Sequence, residues 1–277
     1  MKNLSLFTLT PNRGSQRPLW PFTVNRKSVQ AQFLSLWYPF WESVGTEIHP
    51  LAGSSPGNFA GTNPTWTSYP EQLLALNFTN GEVLAAQAED TAPPSGRITV
   101  SCWVQTATSN IVAVDKGHTG GVSDSYQLYL FNATTARFTV RNDANRTLSA
   151  TIPNANDGNW HHWVGTWDGT TQRLYWDGLL RGAAVPGGIP GIQYTGLNLH
   201  IGRNEGAGFG WVGPMADFRI YSEALPTPVV WEMFDPLTRY DLYQPMRQRS
   251  FSFSAPAAQT FNPSWVQPGV VIGGGCH

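Results

Sequence analysis

Two adjacent histidines, His161 and His162, are the residues of this 277-residue chain whose types best fit acid–base chemistry or metal binding. They lie in a run of alternating character that continues through Trp163 and Val164. Neighbouring side chains of a β-strand point to opposite faces, so the two imidazoles do not ligate one metal ion from a common side. We therefore predict structural roles for both, and we name no catalytic and no metal-binding residue.

Other chemical signatures are absent from the sequence. Glu89 and Asp90 are adjacent, while Asp168 and Asp177 each precede a glycine in a predicted turn. The nucleophile-elbow motif G-x-S-x-G, the zinc motif H-E-x-x-H and the phosphate-binding P-loop do not occur. Two cysteines, Cys102 and Cys276, form neither a disulfide framework nor a metal-ligand spacing. The sequence predicts that the protein is not an enzyme.

Tryptophan is the other residue type that could form a binding site, because its ring can stack on a ligand. Twelve tryptophans occur in the chain. Large aromatic side chains on central strands usually fill the space between two sheets, and we predict this for most of Trp160, Trp163, Trp167 and Trp176. Trp160 and Trp163 are three positions apart and should face opposite sides of their strand. Two other tryptophans fall in predicted loops and are the candidates for surface stacking: Trp66 and Trp211.

The elements that must position these side chains are β-strands. Charged residues make up 13% of the chain, against about 25% in typical proteins, and aromatic residues also make up 13%. Apolar and polar positions alternate in many short segments with turn signals about every ten residues. The predicted strands are Leu36–Phe40, Ile98–Thr106, Ile111–Val114, Tyr126–Phe131, Arg137–Arg141, Trp160–Trp167, Arg173–Trp176, Leu197–Ile201 and Met215–Tyr221. One short helix is predicted at Thr227–Phe234, capped by Thr227. The class is all-β.

Six of these segments resemble, in the right order, the strands of laminin-G-like jelly rolls of the concanavalin A type. They are Leu36-Trp37-Tyr38-Pro39-Phe40, Ile98-Thr99-Val100-Ser101-Cys102-Trp103-Val104, the run Asp157-Gly158-Asn159-Trp160-His161-His162-Trp163-Val164-Gly165-Thr166-Trp167-Asp168-Gly169, Arg173-Leu174-Tyr175-Trp176-Asp177-Gly178, Leu199-His200-Ile201-Gly202-Arg203 and Met215-Ala216-Asp217-Phe218-Arg219-Ile220-Tyr221-Ser222-Glu223-Ala224-Leu225. The resemblance implies two packed antiparallel sheets, a jelly-roll sandwich. Proline and charge content add extended N- and C-terminal arms to this fold.

The resemblance also indicates which catalytic acids and calcium ligands the sequence could contain. Glycan-cleaving relatives carry acids on one strand, spaced E-x-D-x-E, and this spacing is missing here. Some laminin-G-like modules bind Ca²⁺, which needs six to eight converging oxygens. Loop and strand-end acids that could contribute are Asp115, Asp124, Asp143, Asp157 and Glu205. Spacing does not demonstrate convergence, so no ligand is named. No cofactor is expected, and calcium remains an open alternative.

The chain divides into three blocks by charge and proline content. Residues 1–31 hold five Arg or Lys and no acid, residues 32–235 hold nine basic and seventeen acidic residues, and residues 236–277 hold three basic residues and one acid. We predict a basic N-terminal arm, a laminin-G-like body and a C-terminal arm with these bounds. The charged and aromatic residues of the arms are the candidates for anchoring the protein to a partner: Arg13, Arg17, Trp20, Phe22, Arg26, Lys27 and Trp265.

The C-terminal residues 261–275 resemble the ends of laminin-G-like proteins encoded by tailed bacteriophages and prophages. The chain has no apolar stretch of membrane-spanning length and no signal-peptide pattern at its start. We therefore expect a virion protein made in the host cytoplasm, of the capsid-decoration type, whose termini bind capsid or other virion proteins and sister copies. Analogy favours a homotrimer, and neither nucleic acid nor membrane is expected as a partner. The alternative is a carbohydrate-binding, lectin-like module, in which calcium could take part, with its site in loop 119–124 or loop 206–211.

Overall fold

Alternating apolar side chains pair the predicted segments into antiparallel strands. The computed structural model describes residues 21–68, 74–117, 125–141, 144–188, 191–194, 196–204 and 208–246. In chain order the strands are β1 (Phe22–Val24), β2 (Leu34–Tyr38), β3 (Glu47–Ile48), β4 (Gly57–Gly61), β5 (Thr65–Ser68), β6 (Leu74–Thr79), β7 (Gly81–Ala85), β8 (Ile98–Gln105), β9 (Ile111–Lys116), β10 (Tyr126–Asn132), β11 (Thr135–Arg141), β12 (Asn145–Thr151), β13 (Trp160–Trp167), β14 (Gln172–Trp176), β15 (Leu179–Ala184), β16 (Leu199–Ile201), β17 (Val212–Tyr221) and β18 (Tyr243–Pro245). A 3-10 turn spans Val29–Ala31, and helix α1 spans Thr227–Phe234.

Two large sheets form the body. Sheet I has the order β12-β11-β10-β9-β16-β7-β4-β3, and sheet II has the order β15-β14-β13-β8-β17-β6-β5, with β2 also paired to β17. Every pairing between described strands of these sheets is antiparallel. The predicted all-β jelly-roll sandwich of two antiparallel sheets is confirmed. Within the described residues no helix is long and apolar enough to cross a membrane.

The core lies between sheets I and II and is filled by large side chains. Trp163, Trp167 and Trp176 are buried in it, as predicted, while Trp160 packs on the other side of β13. The sheets approach so closely that Gly165 of β13 has no room for a side chain. A Cβ atom there would lie 2.5 Å from the Phe138 ring of β11. This glycine therefore permits the close packing of the two layers.

A third, partial layer covers the outer face of sheet II. Strands β1 and β18 pair with each other, and the rings of Phe22 and Tyr243 pack on Trp37 of β2, with centroids 6.3 Å and 4.7 Å from the Trp37 ring. Trp37 alternates with Leu36 and Tyr38, which face the core, so this layer lies outside the sandwich. The described chain on both sides of the predicted body, residues 21–31 and 236–246, thus packs on sheet II.

Helix α1 belongs to the same covering layer. Val230 and Met233 of the helix pack on Val164, Tyr175 and Tyr221 of sheet II. The predicted bounds of the helix are confirmed, but the predicted cap is wrong. The N-cap position is Pro226, which offers no side-chain hydrogen bond, and the Thr227 hydroxyl instead bonds with the Tyr175 hydroxyl at 3.0 Å. The Thr227 hydroxyl therefore bonds to strand β14 and not to the helix backbone.

Candidate functional site

The histidine pair of β13 points to opposite faces, as predicted. His162 is buried on the outer side, where its ring stacks on Trp103 with a centroid separation of 5.1 Å, and its Nε2 shares a hydrogen bond of 2.9 Å with the Ser101 hydroxyl. Burial lowers the pKa of His162 to about 3, and the charge of Arg219 contributes to the lowering. His162 is therefore neutral at physiological pH, with a packing role.

His161 lies between two carboxylates. Its Nδ1 is 2.8 Å from Asp177 Oδ2, its Nε2 is 3.1 Å from Asp157 Oδ1, and its ring packs on Trp176. Asp177 also accepts the backbone N–H of His162 at 2.9 Å, so one turn residue holds the start of β13. Partial burial alone would lower the pKa of His161, but the hydrogen bonds and charges of Asp177 and Asp157 outweigh it and raise that pKa. The His161 side chain thus joins two turns.

The pH dependence of stability provides a test of this ion pair. A raised pKa in the folded state means that the contribution of His161 is complete below its unfolded pKa of about 6.5 and is lost as the pH rises through the folded value. We expect His161→Gln to cost about 1.5–3 kcal/mol at pH 5.5, as for hydrogen bonds to charged groups, and clearly less at pH 9. Urea unfolding at both pH values measures this. An equal cost at the two would show that the histidine acts by packing alone.

Three further acids of the described strands and turns form ion pairs or hydrogen bonds with basic side chains. Asp168 pairs with Arg173 at 2.7 Å, Glu82 pairs with His200 at 2.6 Å, and Asp217 pairs with Arg219 at 2.6 Å. No group of three or more His, Cys, Asp or Glu side chains that could hold a metal occurs in the part of the chain that the structure describes. Of the candidate calcium ligands, Asp115 is buried and Asp157 binds His161, whereas Asp124, Asp143 and Glu205 lie outside the described residues.

The two tryptophans predicted to stack at the surface have different positions. Trp211 is 0% exposed, so its prediction as a surface residue is wrong. Its backbone is hydrogen-bonded on both sides, donating to Gly202 and accepting from Asn80, which places the indole in the core between the sheets. Trp66, on the edge strand β5, is half-buried, and its Nε1 donates to the Gly45 carbonyl at 2.9 Å.

The candidate anchoring residues that the structure describes also differ in exposure. Phe22 is 2% exposed and packs within its own chain, so it is withdrawn as an anchor for a partner. Arg26 and Lys27 are exposed. The remaining candidates lie outside the described residues: Arg13, Arg17, Trp20 and Trp265. Loop 119–124 lies outside them too.

An exposed aromatic cluster, which the sequence reasoning missed, lies on the outer face of sheet I. We define the aromatic patch as Tyr129, Phe131, Arg137 and Phe209. Tyr129 alternates with the core residues Leu128 and Leu130 of β10 and therefore faces outward. Phe131 is 40% and Phe209 is 37% exposed. Apolar side chains on both faces of β10 were the available signal, since a half-buried strand is expected to be polar on one face.

Contacts within the aromatic patch join two strands and a loop. The Tyr129 ring lies 5.9 Å from both the Phe131 ring and the Phe209 ring, measured between centroids. Arg137 is the cross-strand neighbour of Tyr129, and its guanidinium lies 3.5 Å from the centroid of the Phe131 ring. The Tyr129 hydroxyl donates a hydrogen bond to the side-chain oxygen of Asn110. This arrangement combines exposed rings with a cation, as binding surfaces commonly do.

Comparison with known proteins agrees with this architecture. A family model described as the concanavalin A-like lectin/glucanases superfamily matches residues 79–230, more than half of the chain. The chain therefore belongs to this laminin-G-like family, as the motif resemblance predicted. A search of curated proteins found no match.

Solved structures of toxin binding domains share the fold. The binding domain of botulinum neurotoxin DC in complex with rat synaptotagmin II has a TM-score of 0.59 and 13% identity, covering 76% of this chain and 52% of that one. The binding domain of Paraclostridial Mosquitocidal Protein 1 has a TM-score of 0.59 and 12% identity, covering 75% and 52%. The botulinum neurotoxin DC domain in complex with SialylT has a TM-score of 0.58 and 13% identity, covering 75% and 52%. This chain spans about half the length of these structures, which resemble it in fold alone.

Proposed function

We propose that this protein is a non-catalytic display module of a tailed-bacteriophage particle, of the capsid-decoration type. One observation carries the proposal. Pro21 and Met246 are the first and last residues that the structure describes, and the Met246 N–H donates to the Pro21 carbonyl at 3.0 Å. Both points lie in the layer on sheet II, whereas the aromatic patch lies on sheet I. This arrangement fits a module that is attached to a particle through the sheet II side and exposes the sheet I side to solvent.

Two further features support this proposal. The phage-like character of residues 261–275 and the basic composition of residues 1–31 fit attachment to virion proteins, since a basic segment is attracted to an acidic surface. The partners we propose are capsid or other virion proteins and sister copies in a homo-oligomer, with a trimer favoured by analogy.

The absence of catalysis is part of the proposal. Glycoside hydrolysis uses two carboxyl groups placed on either side of the bond to be broken. The carboxylates of Asp168, Asp177 and Asp217 each face a cationic partner instead, namely Arg173, His161 and Arg219. A carboxylate whose oxygens bind a basic side chain of the same fold is not positioned against a glycosidic bond.

Mass spectrometry of purified particles tests the virion role. We expect peptides from residues 1–277 in intact, density-purified particles of the phage that encodes the chain, at a copy number comparable with other shell proteins. Host cytoplasmic proteins measured in the same sample control for contamination. Particles that are complete and infectious but lack this polypeptide would refute the proposed role.

A second function, carbohydrate binding, is favoured by the aromatic patch itself. Two exposed phenylalanines and a tyrosine present ring faces on which the apolar side of a sugar ring can stack, and Phe209 belongs to the predicted loop 206–211. The two functions are compatible, because a displayed domain can also attach to cell-surface glycans. Calcium could take part in such binding elsewhere on the chain, as in some relatives. Binding of any saccharide to the purified protein would establish this function.

A further inference from the structure

We propose that the aromatic patch is a binding site for an acidic saccharide, with Arg137 as the residue that selects the acid. This inference rests on the proposed carbohydrate-binding function and specifies its ligand class. Two observations support it: Arg137 forms no ion pair with a described acid, and the neighbouring rings of Phe131 and Phe209 are exposed.

The position of Arg137 is set by packing on three sides. Its register partners are Tyr129 on β10 and Ser149 on β12, which places it in the middle of an outward-facing row of sheet I. Its guanidinium covers one face of the Phe131 ring and lies 5.9 Å from the centroid of the Tyr129 ring. Stacking on aromatic rings orients the planar guanidinium, so its remaining N–H groups point in defined directions.

The charge of Arg137 lacks a carboxylate partner among the residues that the structure describes. Arg97, Arg173 and Arg219 all pair with acids, at 3.1, 2.7 and 2.6 Å. The rings of Phe131 and Tyr129 lie beside the Arg137 guanidinium, and its Nε is buried without a hydrogen-bond partner in the described region, so the Nη groups are the donors that a ligand would contact. A guanidinium in this state has donors available for a bidentate interaction with a carboxylate or sulfate group.

The rings define the rest of the ligand. The loop that carries Phe209 is held against β9, where the Val112 N–H donates to the Phe209 carbonyl at 2.9 Å. Phe209 and Tyr129 therefore form a fixed apolar surface next to the cation. An inorganic anion would use the charge and leave the rings bare, whereas a neutral sugar would use the rings and leave the charge unpaired. A sugar that bears a carboxylate or a sulfate uses both.

The charge of the surrounding protein limits the length of the ligand. Residues 32–235 hold seventeen acids against nine basic residues, so the body repels a long polyanion. The patch therefore fits one acidic sugar unit, at the end of a chain or within an otherwise neutral glycan.

Titration calorimetry on the full-length protein, with defined oligosaccharides, tests the proposal. The ligands are a uronate-containing, a sulfated and a neutral oligosaccharide of equal length, together with an acidic peptide, each with and without EDTA. We expect the wild type to prefer one or both acidic saccharides, and EDTA to have no effect. Arg137→Gln should weaken acidic binding about 10- to 100-fold and remove the preference over the neutral sugar. Phe209→Ala should weaken acidic and neutral binding alike, by about three- to tenfold.

Two controls make the result specific. Arg181→Gln removes an exposed arginine from β15 of sheet II and should leave every affinity unchanged. Arg137→Lys keeps the charge but loses the planar fork, and should fall between the wild type and Arg137→Gln. Thermal unfolding of each variant verifies that it is folded.

The outcomes separate this proposal from the more general one. Binding of acidic and neutral sugars with equal affinity, unchanged by Arg137→Gln, would overturn the role of Arg137 and leave carbohydrate binding intact. Failure of every saccharide to bind would remove both. Tighter binding of the acidic peptide than of any saccharide would mean a protein partner, and loss of binding in EDTA would mean a metal-dependent site; either result overturns the proposal.

Discussion

Replacing Arg219 with alanine should lower the free energy of unfolding by about 3–5 kcal/mol, because it leaves the Asp217 carboxylate buried without its cation. The Arg219 side chain is 0% exposed, and it contacts Asp217 through two hydrogen bonds, from Nε at 3.0 Å and from Nη2 at 2.6 Å. Burial alone would lower the pKa of Arg219, but the charge of Asp217 outweighs it and raises that pKa. The pair therefore stays ionised inside the fold.

The Arg219 guanidinium also joins the 3-10 turn Val29–Ala31 to sheet II. Its Nη1 donates to the Gln30 side chain at 2.8 Å, and Gln30 in turn donates to the Thr238 carbonyl at 2.8 Å. Trp37 adds a third bond, from its Nε1 to Asp217 at 2.6 Å. Removing Arg219 thus disturbs β17, the 3-10 turn and the segment after α1 together, and such coupled losses are larger than those of a single pair.

Urea unfolding of matched variants measures the effect. Arg173→Ala breaks the partly exposed pair with Asp168 and should cost only about 0–1 kcal/mol. The double variant Asp217→Asn/Arg219→Met removes both charges, and it should be more stable than Arg219→Ala. Equal costs for Arg219→Ala and Arg173→Ala would mean that the buried network contributes no more than a surface pair.

Replacing Trp211 with alanine should cost about 3–5 kcal/mol, in contrast to what its sequence position suggested. The indole is fully buried in the core, and alanine would leave a cavity that the surrounding strands cannot close, because Trp211 is held by hydrogen bonds to Gly202 and Asn80. The indole N–H has no hydrogen-bond partner among the described residues. Trp211→Phe should therefore cost clearly less than Trp211→Ala, since it keeps a ring and removes an unpaired donor.

Trp231 provides the matched control for this experiment. It lies on α1 and is 42% exposed, so Trp231→Ala should cost much less than Trp211→Ala in the same urea titration. A Trp211→Ala variant as stable as the wild type would contradict the burial of this side chain and would return Trp211 to the set of surface stacking candidates.

Much of the fold could be predicted from local pattern. Segment Trp160–Trp167 was predicted with the bounds that β13 has, and the opposite orientations of Trp160 and Trp163 followed from the two-residue period of a strand. The aspartate–glycine turn at Asp177 followed from the need for a positive φ at both residues, which is observed at Asp177 and Gly178, whereas in the turn at Asp168 only Gly169 has a positive φ. These features depend on neighbours in sequence, so the sequence contains them.

The candidate site could be predicted only in part. Tyr126–Phe131 and Arg137–Arg141 were predicted as strands, and their observed pairing brings Tyr129 next to Arg137. Phe209, however, reaches the aromatic patch from a distant loop, and Trp211 from the same loop enters the core instead. Two residues separated by one position thus have opposite exposures, and nothing in the local composition distinguishes them.

The sequence by itself determined nine of the eighteen described strands, which of their side chains share a face and to which family the domain belongs, because these depend on alternation and on short motifs. Only the tertiary structure decided which faces stay open to solvent. The outer face of sheet II carries Phe22 and α1, whereas the outer face of sheet I exposes Phe131 and Phe209. Exposure depends on which distant segments pack over a surface, and long-range packing cannot be inferred from neighbouring residues.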